Sequence, residues 1–311
     1  MRKSLLSLAI LSTLSVSTLS FADEAPVVEA APAAASAESD WAFSSNVAFT
    51  SDYYVRGISQ NFHKPALQGG FDVAHSSGFS AGIWASNVSP NTFPDASLEI
   101  DYYAGYGGEI GKTGIGYSVG VIAYTYPGGS WGDCQFGGSP GCYKADGVTT
   151  ASNDSWNTYE ANFGLSYSYF SAQVSTTLGD YFGLDTDTGY DDDSRFTTYV
   201  ELNAEYPFGN GWALIGHIGH LNVSTKIADT NAVYLAYNGE ANPDYTDYKV
   251  AVSKSFSLAG SEGWAAELAY VGANDTGYWQ ADGWGGSSFN GRTETADLTD
   301  DRFTFTVSRA F

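Results

Sequence analysis

Residues 98–106 read LEIDYYAGY, and their apolar and polar side chains alternate without interruption. Successive side chains on a β-strand point to opposite faces. The segment therefore predicts a strand with one apolar face and one face that carries Glu99 and Asp101. The same period of two returns in residues 46–56, 66–74 and 302–311. Strands of this kind place one face against an apolar medium and the other against water.

Twelve segments of this type follow one another along the chain, and most have the length of about 9–11 residues that crosses a bilayer at a tilt. The connections alternate in length, with the even-numbered ones short and the odd-numbered ones long. Short periplasmic turns and long extracellular loops are typical of an outer-membrane barrel. We therefore predict an all-β fold, a transmembrane antiparallel up-and-down β-barrel of about twelve strands. The predicted strands lie near 44–58, 65–75, 79–88, 96–107, 114–127, 155–168, 170–182, 195–207, 212–224, 246–257, 263–273 and 301–311.

The amino-terminal region predicts export. Residues 1–22 combine Arg2 and Lys3 with a short apolar stretch and end in Ser-Phe-Ala, the pattern of a signal peptide. Residues 23–40 are rich in Ala, Pro and acids and are predicted to be a flexible periplasmic leader. Residues 41–311 then form one barrel domain, and we expect it in the outer membrane of a Gram-negative bacterium.

The composition favours strands and excludes one class of partner. The chain has 36 Gly, 22 Tyr, 18 Phe and 8 Trp, and aromatic residues form girdles at both ends of a barrel wall. Its net charge of −22 rules out nucleic acid bound through phosphates. The expected partners are outer-membrane lipid, lipopolysaccharide, the barrel assembly machinery, and small hydrophilic solutes or ions. No cofactor is expected.

The last residue carries an assembly signal. The chain ends on Phe311 at the close of an alternating strand, as in the carboxy-terminal signature of barrel precursors. Arg309 departs from that signature, which usually has an apolar or aromatic side chain at this position.

Several sequence blocks resemble a known family. Residues 46–72, NVAFTSDYYVRGISQNFHKPALQGGFD, are similar to the opening motif of the TorF-type porins, a conserved hypothetical family of outer-membrane barrels. GIWASNV at 82–88, LEIDYYAGYGGE at 98–109 and YTYPG at 124–128 resemble later blocks in the same order. The resemblance implies an outer-membrane barrel with a transport role and supplies no binding residues.

The polar face of the predicted strands supplies candidate pore-lining residues, eight of them acids and four of them bases. Rings of acids attract cations, so a channel with this lining prefers cations weakly. The alternative is that the charges pair and fill a closed barrel, because a narrow barrel can be packed nearly shut. For Arg56 we favour the second reading, a buried partner for an acid on a neighbouring strand. The candidates are Asp52, Arg56, Asp72, Glu99, Asp101, Glu160, Arg195, Glu201, Glu205, Lys249, Glu267 and Arg302.

Two predicted outer loops carry further candidates. Cys134 and Cys142 lie close together in one loop and are predicted to form a disulfide in the oxidising envelope. Asp185, Asp187 and Asp191 in another loop resemble a calcium loop, but the glycine spacing does not fit the EF-hand pattern. We favour a solvated acidic rim that accepts divalent ions bridging to lipopolysaccharide.

The sequence favours a porin-like channel over an enzyme. His217 and His220 are three residues apart on a predicted strand, so they face opposite sides and cannot bind one metal together. The alternatives that stay open are a structural barrel without an open pore and, less favoured, an outer-membrane hydrolase that uses His220 beside the acidic loop.

Overall fold

The computed structural model describes residues 39–133, 142–152, 154–238, 241–274, 277–280, 284 and 294–311. The predicted signal peptide and nearly all of the predicted leader lie outside these residues. No helix in the described part of the chain is long and apolar enough to cross a membrane. The strands are β1 (Trp41–Thr50), β2 (Tyr54–Val55), β3 (Ile58–Ser59), β4 (Ala66–His75), β5 (Phe79–Asn87), β6 (Leu98–Glu109), β7 (Ile115–Thr125), β8 (Thr158–Tyr167), β9 (Phe170–Thr177), β10 (Thr198–Gly209), β11 (Trp212–Asn222), β12 (Tyr245–Leu258), β13 (Ser261–Ala273) and β14 (Arg302–Ala310), with one helix, α1 (Ala232–Asn238).

Twelve of these strands form a closed barrel. Each of β5 to β13 pairs antiparallel with the strand before and after it, and β1 closes the barrel by pairing with both β4 and β14. Barrel closure leaves no unpaired sheet edge. The predicted architecture and the strand number are confirmed.

Connection lengths alternate as predicted. The turns at 76–78, 110–114, 168–169, 210–211 and 259–260 are short, and Asn210 and Ala259 adopt the positive φ angles that tight turns use. The connections at the opposite end of the barrel are longer, and we call them the outer loops. They span 88–97, 126–157, 178–197, 223–244 and 274–301, and the connection at 51–65 leaves the same end of the barrel but is named separately below.

The two faces of the wall have the predicted chemistry. Phe43, Phe71 and Phe303 point outward and are 71%, 69% and 72% exposed, whereas the inward-facing Gln68 and Thr306 are buried. An outer surface of large exposed apolar side chains suits hydrocarbon and not water.

The first strand is shorter than predicted. The alternation of residues 46–56 predicted one strand to residue 58, but β1 ends at Thr50. Residues 51–65, which we call the inner loop, turn into the barrel and form the short β2–β3 hairpin. The hairpin turns at Arg56 and Gly57, whose φ angles of 49° and 73° are incompatible with a continuing strand.

Aromatic side chains pack together in the outer loops. Trp131 lies 4.4 Å from Trp156 and 5.4 Å from Trp284, measured between ring centroids. Tyr190 and Tyr278 complete this outer-loop core and are almost fully buried. The loops therefore have a hydrophobic core of their own above the barrel wall.

The chain ends meet at the closure of the barrel. β1 pairs with β4 over its full length, from Trp41 to Thr50, but with β14 only from Asn46 to Thr50. Two further backbone hydrogen bonds join Ser45 and Phe311 beyond that short ladder. We call the β1–β14 contact the seam.

Candidate functional site

The inner loop extends across the lumen to a distant part of the wall. Arg56 lies at its tip and forms two hydrogen bonds with Glu160 on β8, with Nη1–Oε1 at 2.9 Å and Nη2–Oε2 at 2.7 Å. Four strands of the wall separate β8 from β1, which carries the loop. The Arg56 guanidinium also lies 4.4 Å from the ring centroid of Tyr199 on β10, a cation–π distance.

The ion pair keeps Arg56 charged although it is buried. Burial alone would lower the pKa of the Arg56 guanidinium, but the Glu160 carboxylate raises that pKa well above its usual value. Bidentate pairs of this kind have a fixed geometry as well as a favourable energy. The prediction of a buried acid as partner for Arg56 agrees with the structure, except that the acid is on a distant strand and not a neighbouring one.

Gly57 lets the tip of the inner loop approach the wall. A Cβ atom at Gly57 would lie 2.6 Å from Cβ of Asp247 and 3.0 Å from the carbonyl oxygen of Gly272. Contacts this short leave no room for any side chain. The tip is therefore packed against β12 and β13 as well as bonded to β8.

The base of the inner loop is held by internal hydrogen bonds. The Asp52 carboxylate accepts one from the Ser59 hydroxyl at 2.8 Å and lies 2.8 Å from His63 Nδ1. His63 Nε2 is 2.7 Å from the carbonyl oxygen of Asp297 in the last outer loop. Asp52 was predicted on the first strand, but it serves instead as the anchor of this loop.

A buried polar cluster adjoins the tip on the lumen face of β10, β11 and β12. His217 Nε2 lies 2.7 Å from Asp247 Oδ1, and its Nδ1 lies 2.6 Å from Asn203 Oδ1. The Tyr199 hydroxyl donates to Asp247 at 2.9 Å. Glu201 is 3.7 Å from His217 Nδ1. We call this set the histidine cluster.

Asp247 was not among the predicted pore residues, and His217 was not assigned to the lumen. The alternation of β12 held the information, because Asp247 is two residues from the predicted pore residue Lys249 and so shares its face. His217 is buried and His220 is exposed, so the two histidines face opposite sides of the wall as predicted.

Most of the remaining predicted residues lie on the strands of the wall, and several of them form pairs there. Asp72 accepts a hydrogen bond from the Tyr103 hydroxyl at 2.5 Å, and Lys249 forms an ion pair with Glu267 at 2.9 Å. Glu99 accepts a hydrogen bond from the Tyr126 hydroxyl at 2.9 Å. The predicted pore residues that occupy the inward-facing positions of barrel strands are Asp72, Glu99, Asp101, Glu160, Glu201, Glu205, Lys249 and Glu267.

Two predicted pore residues lie at the outer end of the barrel. Arg195 belongs to the outer loop before β10, is exposed, and stacks at 4.7 Å from the ring centroid of Phe196. The prediction that it lines the wall is wrong, because the positive φ angle of Phe196 interrupts the alternation there. Arg302 is the first residue of β14 and forms an exposed ion pair with Asp300 at 3.2 Å.

The acidic loop, at 178–197, uses its carboxylates for contacts within itself and with two neighbouring outer loops. Asp185 accepts backbone hydrogen bonds from Asp187 and Thr188, and Asp187 forms an ion pair with Lys144 at 2.7 Å. Asp191 accepts from the Thr225 hydroxyl at 2.9 Å. Over the part of the chain that the structure describes, no three His, Cys, Asp or Glu side chains form a metal-binding group. Cys134 lies outside the described residues, so its pairing with Cys142 stays a prediction.

Residues 34–311 match the family described as "Bacterial protein of unknown function (Gcw_chp)". The chain belongs to this family. No curated protein sequence matches the chain.

Solved barrels are similar in shape at low identity. A KdgM porin in complex with disordered oligogalacturonate is 7% identical, with a TM-score of 0.45 over 86% of this chain and 99% of that one. A NanC porin is 8% identical, with a TM-score of 0.44 over 87% and 99%. An outer membrane channel from Pseudomonas putida F1 is 10% identical, with a TM-score of 0.42 over 86% and 95%. Similarities at this level carry no information about ligands.

Proposed function

We propose that this protein is a porin-like channel of the outer membrane that passes small hydrophilic solutes and weakly prefers cations. The observation that carries the proposal is the charge of the lumen. The inward-facing positions of the wall carry more acids than bases, and Lys249 is one of those bases. Arg56 adds a further positive charge from the inner loop. An excess of fixed negative charge in a low-dielectric channel raises the local concentration of cations.

The location follows from the outer surface of the barrel and from its loops. The exposed apolar wall fits a bilayer, and the sorted connections fit a barrel with its turns in the periplasm and its outer loops outside the cell. Lipopolysaccharide and the barrel assembly machinery are the partners that this location implies. The resemblance of residues 46–72 to the TorF-type porins supports the same transport role.

In this proposal the tip of the inner loop forms the narrowest part of the channel. Arg56 and Glu160 bridge the lumen there, and the outer-loop core packs above them. Solutes would pass between the inner loop and the parts of the wall that it does not contact.

A second candidate is a structural barrel without an open pore. The observation that favours it is the burial of lumen-facing side chains, since Glu99 is 1% exposed and Asp101 and Asp247 are 0% exposed. In that case the inner loop and the histidine cluster fill the barrel and stabilise it.

Planar-bilayer recording of the purified full-length protein separates the two candidates. We expect conductance steps and a reversal potential in a KCl gradient that shows preference for K⁺ over Cl⁻. The preference should weaken as salt rises, because the screening length falls from about 10 Å at 0.1 M to about 3 Å at 1 M. Absence of conductance at every salt concentration would establish the structural barrel, and a preference for Cl⁻ would refute the role of the acids.

A further inference from the structure

Basic side chains are rare on the outward face of the barrel wall. The Lys and Arg residues that lie on barrel strands are Lys249, Lys254, Arg302 and Arg309. Lys249 pairs with an acid in the lumen, and Arg302 lies at the outer end of β14. Alternation along β12 and β14 places Lys254 and Arg309 on the outward face, among the apolar side chains. A charge at the middle of the hydrocarbon would be unfavourable, so the height of these two residues on the wall decides what they contact.

Both residues lie at the end of the barrel that carries the short turns. Lys254 is the register partner of Trp212, the first residue of β11, and its Nζ donates to the carbonyl oxygen of Asn210 in the preceding turn. Arg309 is the next-to-last residue of β14, and its Nη2 donates to the hydroxyl of Ser261, the first residue of β13. In the proposed orientation this end of the wall lies among the headgroups of the periplasmic leaflet.

Aromatic rings surround the two charges. Lys254 Nζ lies 5.2 Å from the ring centroid of Trp212. The guanidinium carbon of Arg309 lies 5.3 Å from the ring centroid of Trp264 and 4.3 Å from that of Phe311. These are cation–π distances, and Trp is enriched where a membrane protein meets the headgroups. The two bases therefore belong to an aromatic belt at the membrane interface.

Two hydrogen-bond donors in this belt have no acceptor. Arg309 Nε and the indole nitrogen Nε1 of its register partner Trp264 are buried, and among the described residues neither has a hydrogen-bond partner. In the same part of the chain neither Arg309 nor Lys254 forms an ion pair, although Glu262 lies near the start of β13. Buried donors without acceptors are unfavourable. The belt therefore lacks an acceptor, and the charge of its two bases favours an anionic one.

The spacing of the two bases suits one lipid headgroup. Arg309, Trp264 and Phe256 are register partners on β14, β13 and β12, and Lys254 is two residues from Phe256 on the same face. With strands about 4.8 Å apart and a rise of about 3.3 Å per residue, the Cα atoms of Arg309 and Lys254 are about 12 Å apart. Two long side chains reach across that distance to a phosphate between them, and the guanidinium of Arg matches phosphate geometry.

The wall next to the two bases is apolar. Val250, Leu268 and Phe305 lie on the outward face of the same three strands and are 57%, 54% and 49% exposed. A phosphate held at the belt would thus have an apolar surface beside it that fits an acyl chain. The site is at the end of the barrel opposite the outer loops, which selects a phospholipid of the periplasmic leaflet and not lipopolysaccharide.

We propose that Arg309 and Lys254, with Trp264 and Trp212, form a binding site for the headgroup of an anionic phospholipid. The proposal rests on the proposed membrane location and orientation of the barrel, and it does not depend on conduction. It also gives a role to Arg309, the residue that departs from the carboxy-terminal signature of barrel precursors.

Native mass spectrometry of the detergent-purified full-length protein tests the site by counting bound lipids. Phosphatidylglycerol is compared with phosphatidylethanolamine of the same acyl chains, so that the headgroup is the variable. We expect phosphatidylglycerol to bind more tightly by about fivefold for each of the two bases, the equivalent of about 1 kcal/mol per basic residue near a membrane surface. Equal affinity for the two lipids would overturn the proposal. Loss of the difference in excess inorganic phosphate would assign the site to a free anion and overturn the lipid.

Variants localise the effect. Arg309→Gln with Lys254→Gln should remove the preference for phosphatidylglycerol. Arg195→Gln with Lys226→Gln removes the same charge from exposed positions of the outer loops and should keep the preference. A preference that persists in the first variant, or that is lost equally in both, would count against the site. If the first variant does not fold, Lys254→Gln alone should lower the preference about fivefold, and an unchanged preference in it would reject the site.

The lipid site and the channel fail separately. A barrel that prefers phosphatidylglycerol but does not conduct would reject the channel and keep the lipid site. A barrel that conducts but binds the two lipids equally would reject the lipid site and keep the channel.

Discussion

The side chains of Arg56 and Glu160 form two parallel hydrogen bonds inside the lumen, although the residues are 104 positions apart in the sequence. This contact fixes the inner loop to the far part of the wall. In the proposed channel it sets both the width and the charge of the narrowest point.

Replacing Arg56 with Gln should widen the channel and make it more selective for cations. The inner loop loses its hydrogen bonds to β8, and the negative charge of Glu160 is no longer compensated. Removing one partner of a buried pair costs about 3–5 kcal/mol, so the variant should also unfold at a lower temperature. Single-channel conductance and reversal potential provide the measurement. Arg195→Gln is the matched control, because Arg195 is exposed in an outer loop and both properties should stay as in the wild type.

A methyl group at Gly57 should push the tip of the inner loop away from the wall. Gly57→Ala places Cβ against Asp247 and Gly272, and the positive φ angle adds about 1–2 kcal/mol of backbone strain. We expect a lower unfolding temperature and larger, noisier conductance. Gly111→Ala is a control for the strain alone, since Gly111 has a φ angle of 61° and no atom within 4 Å of its built Cβ. Equal effects of the two substitutions would show that the tip does not need its contact with the wall.

Tyr199 should contribute separately through its hydroxyl and its ring. Tyr199→Phe removes the hydrogen bond to Asp247 and leaves a buried acceptor short of a donor, at a cost of about 1–3 kcal/mol. It keeps the ring beneath Arg56, so the conductance should change little. Tyr199→Leu also removes the ring and should increase the conductance, as we expect for Arg56→Gln. Paired measurements of unfolding temperature and conductance distinguish these outcomes, and identical results for the two variants would contradict the role of the ring.

The two cysteines should be joined in the mature protein. Thiol labelling under denaturing, non-reducing conditions should modify neither Cys134 nor Cys142, and labelling after reduction should modify both. Because a disulfide constrains the unfolded chain, Cys134→Ser with Cys142→Ser should lower the stability of the outer loops, which limited proteolysis measures. Two reactive thiols in the unreduced protein would show that the bridge is absent.

Local patterns sufficed to predict the wall of the barrel. The alternation of residues 98–106 predicted which side chains of β6 face the lumen, and the order of long and short connections predicted the sorting of loops and turns. Both features depend on residues that are close together in the chain, so they can be recognised from a single sequence.

The inner loop was not predictable in this way. Asp52 and Arg56 continue the alternation of β1, and only the backbone angles at Arg56 and Gly57 turn the chain inward. The partner of Arg56 depends on where the closed barrel places Glu160, which is a property of the whole fold. The histidine cluster was missed for the same reason, since it joins side chains from β10, β11 and β12.

The short seam between β1 and β14 has a consequence for biogenesis. β1 is made first, but the strand that completes its pairing is made last, and Phe311 supplies two of the hydrogen bonds that extend the ladder to Ser45. A chain that lacks β14 therefore carries an open edge at β1, and such an edge invites pairing with other chains. Pairing of β14 with β1 is thus the step that removes this open edge.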